Sequence, residues 1–125
     1  MTFEATVDTS GAFLTFKTSG MLTRAHYQAT LDDTAALLRA NEGLPLLCDW
    51  CELEGWADDS RDAYGYHSWL DYAELLRRRI AILCPEQHLE HAYWFMDFAQ
   101  ARNIEAETFA PQEREKAMTW LLAEA

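Results

Sequence analysis

The chain reads as an α/β domain in which an N-terminal β-hairpin leads into a mixed, largely parallel sheet with about four α-helices. Three observations predict this. Leu44 to Trp50 and Ile80 to Cys84 are almost uniformly apolar, as strands covered by helices on both faces require. Segments with apolar residues at helical spacing separate and follow them. At the start, Phe3, Ala5 and Val7 alternate with polar residues, and Leu14 and Phe16 resume the alternation after Asp8-Thr9-Ser10-Gly11, a cluster that favours a tight turn.

The remaining elements follow in order. Gly20 closes the second strand, and Thr23 caps a helix with Tyr27, Leu31, Ala35 and Leu38 on one face. Asn41-Glu42-Gly43 stops it. After the apolar strand, Cys51 to Ala57 reads as a loop, and Asp58, Asp59 and Ser60 offer oxygens and charges to the start of a helix through Leu76. Arg77, Arg78 and Arg79 stand at that helix end, where cations favour the last carbonyls.

Pro85 ends the second apolar strand and suits the first turn of a helix with Leu89, Ala92, Phe95, Met96 and Ala99 inward. Ile104, Ala106 and Thr108 form a last, weaker strand. Pro111 then opens a helix with Ala117, Met118, Leu121 and Leu122 inward. No Pro/Gly/Ser-rich linker or fixed-period repeat interrupts the 125 residues, so one domain over 1–125 is expected.

Composition narrows the function classes. The formal charge is −11, from 21 acidic against 10 basic side chains, so the average field repels phosphate backbones and anionic lipid, and nucleic acid is not an expected partner. No integral membrane segment and no secretory leader is recognised, and a cytoplasmic location is expected. Three cysteines, Cys48, Cys51 and Cys84, lie in hydrophobic contexts, which suits reduced, buried thiols.

A set of residues carries a family resemblance: Phe13-Leu14-Thr15-Phe16, Ser19-Gly20-Met21-Leu22-Thr23, Leu46-Leu47-Cys48-Asp49, Gly55-Trp56, and Arg79-Ile80-Ala81-Ile82-Leu83. This spaced apolar pattern resembles the SpoIIAA-like family. The resemblance implies a STAS-type domain, related to anti-sigma-factor antagonists and sulphate transporters, with a fold also compared with Sec14-type lipid-binding domains. Regulatory STAS domains are phosphorylated on a serine at the N-terminus of the helix after the Asp-bearing strand. The corresponding stretch here is Ala57-Asp58-Asp59-Ser60-Arg61, without the Asp-Ser-Ser-Gly form. Ser60 is the candidate phosphorylation site, with Asp58, Asp59 and Asp62 repelling the added charge.

Chemistry-bearing constellations are few. Cys48-Asp49-Trp50-Cys51 has C-x-x-C spacing, but on a strand the two thiols point to opposite faces. Cys84, His88 and His91 lack the spacing of a zinc site, and core packing and hydrogen-bonded imidazoles are the plainer reading. No phosphate-cradling glycine loop, nucleophile elbow or H-E-x-x-H occurs. No catalytic residue, metal ligand or cofactor is therefore assigned.

Open α/β sheets bind ligands beyond their strand ends. The expected binding surface is the carboxyl edge, with Asp49, Trp50, Gly55, Trp56 and Glu86 as candidate residues and Cys84 nearby. Tyr93, Trp94 and Asp97 occupy the outer face of their helix, and Tyr64, Trp69 and Tyr72 add aromatics before it, so a homodimer is expected. Two functions stay open: a non-enzymatic regulatory module binding an unidentified protein partner, or a module holding a small apolar ligand or lipid at the strand ends. A thiol or metal enzyme is the third, weaker reading.

Overall fold

A computed structural model describes residues 2–7, 12–22, 39–41, 44–56, 79–101 and 103–123. Five strands form one sheet in sequential order: β1 (Thr2–Val7), β2 (Leu14–Leu22), β3 (Leu46–Trp56), β4 (Arg79–Leu83) and β5 (Glu105–Phe109). β1 pairs antiparallel with β2, Val7 opposite Leu14. The turn expected between them at residues 8–11 lies outside the described residues. β2, β3, β4 and β5 then run parallel to one another, which gives the largely parallel sheet that the apolar runs predict.

The two central strands are buried because both faces are covered. On one face Leu14, Phe16, Leu46, Cys48, Trp50, Ile80 and Ile82 pack with Ala92, Phe95 and Ala99 of α1 (Leu89–Gln100). On the other, Leu47, Ala81, Leu83 and Phe109 pack with Ala117 and Leu121 of α2 (Arg114–Leu122). The alternation along β3 and β4 therefore sends every second side chain to a different helix. Burying a large apolar side chain in such a layer contributes about 1.5–3 kcal/mol.

Of the helices expected, α1 and α2 are described, while the segments from Thr23 to Leu38 and from Asp58 to Leu76 lie outside the described residues, as does Ser60. Both described helices start with a 3-10 turn, Glu86–His88 before α1 and Pro111–Glu113 before α2. Each proline stands just where its missing N–H costs nothing. Glu113 then accepts a hydrogen bond from the Ala110 backbone N–H at 2.9 Å.

Three expectations are corrected. Cys51 to Trp56 is not a loop: β3 continues to Trp56, paired with β2 through Leu22. Leu122 is 45% exposed rather than inward, since Ala117 and Leu121 share the buried face and Leu122 is rotated about 100° from Leu121. Nor does Gly20 close the second strand, which runs on to Leu22. While the helix expected to end before it lies outside the described residues, Arg79 is tied to the end of α2. Its Nη1 donates to the Trp120 carbonyl near the end of α2 at 2.6 Å, its Nε reaches Glu105 at 2.7 Å, and its guanidinium lies 5.0 Å from the Trp120 ring centroid.

The extension of β3 carries two irregularities. Lys17 faces Asp49 while Ser19 faces Glu52, and Gly20 faces Leu53 while Met21 faces Gly55. Each step places one extra residue on β3, as in a β-bulge. The first extra residue reverses the alternation, which explains why Leu53 joins Cys48 and Trp50 on the α1 side. The second is Glu54, unpaired between Leu53 and Gly55. Gly20 at φ 81° and Gly55 at φ 150° supply backbone that residues with a Cβ rarely adopt.

Candidate functional site

The carboxyl end of β3 meets the start of α1 at a cleft of about 380 Å³. Glu54 and Gly55 form the β3 wall, and Gln87, His88, Glu90, His91 and Trp94 form the helical wall. Residues 87, 90, 91 and 94 are spaced to share one helical face. Trp94 is 42% exposed and stands edge-on to His91, with ring centroids 5.5 Å apart. Tyr93, beside it in sequence, is 52% exposed, so α1 presents the outward aromatics that its periodicity predicts.

His88 fixes the two walls together. It is buried, and its Nε2 lies 2.7 Å from the Leu53 carbonyl. A carbonyl only accepts, so Nε2 carries the proton. This bond ties the extension of β3 to the turn before α1 across 35 residues of sequence. The bulge at Glu54 sits directly after it, and bulges re-aim the side chains next to them.

The sequence-predicted site residues that are described do not all lie at this cleft. Gly55 lines the cleft. Glu86 is exposed on the adjoining turn. Trp50 is buried and packs edge-on against Phe95, centroids 6.3 Å apart. Trp56 ends β3 opposite Leu22, and its side chain lies outside what is described. Asp49 is on the other face of the sheet, where its Oδ2 accepts from Arg114 Nη2 at 2.8 Å and its Oδ1 from the Cys51 backbone N–H at 3.0 Å.

That last arrangement is a pin between sheet and helix. Burial pushes the Asp49 carboxyl up, but the Arg114 hydrogen bond, the Cys51 backbone N–H and the nearby positive charge outweigh it and hold it below the ordinary value. Arg114 is the first residue of α2, so a carboxylate committed in the sheet sets where that helix begins. Sequence reasoning picked out Asp49 as the one charge in an apolar run, yet its partner lies 65 residues away and no local signal links them.

The thiols are similarly absorbed. Cys48 and Cys51 lie on opposite faces of β3, as the strand reading predicts, the first in the α1 core and the second against the α2 core. Burial, with the Asp49 charge, pushes the Cys48 thiol far above its usual range; burial, a hydrogen bond to Asp49 and its charge raise Cys51 to about 11, and burial raises Cys84 to about 12. The Cys84 thiol donates to the Pro85 carbonyl at 3.3 Å. Thiolate chemistry needs the opposite shift. Among the described residues no group of three or more His, Cys, Asp or Glu side chains is placed to hold a metal ion.

The fold and the strand-end cleft define an α/β domain with a parallel sheet sandwiched between helices, which presents surface at its carboxyl edge. The SpoIIAA-like family model matches residues 13–122, and the chain belongs to the SpoIIAA-like family. Among solved structures, it is similar to an uncharacterized protein with a SpoIIAA-like fold from Shewanella loihica PV-4. The TM-score is 0.68 and the identity 21%, over 96% of this chain and 92% of that one. It is also similar to the anti-sigma factor antagonist SpoIIAA in its unphosphorylated form, with a TM-score of 0.60 and 12% identity, over 94% of this chain and 97% of that one. At these identities the likeness establishes the fold. No curated protein matches the chain. Among the described residues, no helix is long and apolar enough to cross a membrane.

Proposed function

We propose that the protein is a non-enzymatic regulatory module that acts by binding a protein partner at the α1 face beside the strand-end cleft. The observation that carries this reading is the pairing of exposed aromatics with a concave site: Trp94, 42% exposed, lines the cleft bounded by Glu54 and Gly55, and Tyr93, next to it in sequence, is 52% exposed. Aromatic anchors beside a pocket are what interface hot spots are made of. Membership in the SpoIIAA-like family, and the fold shared with an anti-sigma factor antagonist, support a regulatory role. The groups with catalytic potential in the described core are occupied structurally, Asp49 by Arg114, His88 by Leu53, and Cys48 and Cys84 by burial.

The same exposed aromatics are the surface through which a homodimer would form. The test is capture of partners from the producing cells with the tagged full chain, in parallel with a Tyr93→Ala, Trp94→Ala variant. A discrete partner held by the native chain and lost from the variant is expected. Partners held equally by both sink the proposal. Native mass spectrometry of the purified chain separates the other reading, since a stoichiometric adduct of apolar character points to a small ligand or lipid.

A further inference from the structure

We propose that the strand-end cleft receives the guanidinium of an arginine presented by a basic segment of the partner protein, an inference that rests on the interaction function above. Its walls each carry a carboxylate, Glu54 from β3 and Glu90 from α1, and Trp94 supplies a partly exposed indole. Among the described residues, no lysine or arginine lines the cleft. Glu54 and Glu90 have no ion-pair partner among the described residues.

The charge balance is decided by magnitude. The start of α1 contributes about half a positive charge, and Glu90, in its first turn, more than offsets that. Glu90 alone is thus accounted for as a helix-stabilising acid. Glu54 is not: it lies at the unpaired bulge position of β3, with no helix terminus of its own to serve. The two carboxylates consequently make the described part of the cleft acidic. It lies within a chain of formal charge −11, which steers cations toward it.

Arginine fits better than lysine because a planar guanidinium stacks on an indole and forks between carboxylates at the same time, whereas an ammonium is a more strongly hydrated point charge. A volume of about 380 Å³ sits near the small end of ligand clefts, which run from about 300 to 1,000 Å³. That suits one long side chain anchoring a segment that continues over Tyr93 and Trp94.

The test is an NMR titration of the isotope-labelled full chain at about pH 8, above the ordinary imidazole range. The probe is a capped glycine pentapeptide with one central arginine, and its control carries the neutral isostere citrulline. The arginine peptide is expected to shift the Gly55 amide and the Trp94 indole N–H, with the citrulline peptide binding at least fivefold more weakly. Glu54→Gln, Glu90→Gln and Trp94→Ala should each weaken arginine binding at least threefold while leaving resonances of the β4 core in place. Equal binding of the two peptides, or shifts that spare Gly55 and Trp94, overturns the proposal. If the captured partner depends on Tyr93 and Trp94 but the arginine peptide leaves the cleft untouched, the interaction reading stands and the guanidinium site falls. If arginine binds as expected while capture is indifferent to those aromatics, the partner falls and the cleft's cation chemistry remains.

Discussion

At the scale of single residues, the most consequential contact is Asp49 with Arg114. The carboxylate is 8% exposed and the guanidinium 52%, so the charge that depends on the pair is the acid. Arg114→Met leaves it buried with only the backbone N–H and thiol of Cys51 as donors, and a loss of about 1–3 kcal/mol is expected in urea denaturation. Adding Asp49→Asn should recover part of that loss, because the charge requiring compensation is gone. The pH dependence has a fixed sign. Asp49 is held below its ordinary carboxyl value when folded, so the folded chain binds fewer protons than the unfolded one in that window. The stabilisation is complete above the unfolded value of about 3.9 and is lost as pH falls through the lower, folded value. Denaturation midpoints measured between about pH 3 and about pH 7 should show this slope in the native chain and a flatter one in Arg114→Met.

At the scale of elements, β3 carries most of what is particular to this protein. Its first half obeys the sequence: an apolar run, buried from Leu46 to Trp50, between two helices. Its second half does not look like a strand in the sequence, because Glu52, Glu54 and Gly55 read as loop composition. It is held as one by pairing with β2 and by the His88 bond to Leu53. Gly55 is needed there for its backbone. A Cβ would meet Met21 Sδ at an ordinary 3.7 Å, but the φ of 150° disfavours any L side chain. Gly55→Ala should therefore cost about 1–3 kcal/mol by chemical denaturation without disturbing packing elsewhere. In β4, by contrast, cost comes from the core. Ile82 is fully buried, and Ile82→Ala should lose about 2–5 kcal/mol, read from the same curves.

At the scale of the whole molecule, two faces of one sheet have been given two tasks: the α2 face fixes a helix through Arg114 and Asp49, and the α1 face shapes the cleft. Cys48 and Cys84 are sealed in the α1 core, and mass spectrometry after iodoacetamide treatment should find them unmodified in the native chain and fully alkylated once it is denatured. Cys51, partly buried with its thiol raised to about 11, should react slowly without denaturant. The sequence alone determined the succession of strands and helices along the described chain, the largely parallel sheet, the inner face of α1 and, Leu122 apart, that of α2, and the opposed cysteines, since these follow from alternation of elements and from local periods of two or of about 3.6. It also singled out Gly55 and the outward Tyr93 and Trp94. Only the tertiary structure decided that Asp49 and Trp50 serve packing, that β3 runs on to Trp56 through two bulges, and that His88 closes the cleft. Those outcomes depend on register between strands and on contacts 35 and 65 residues apart in the chain, and nothing in the local pattern of a sequence encodes which distant partner will lie opposite.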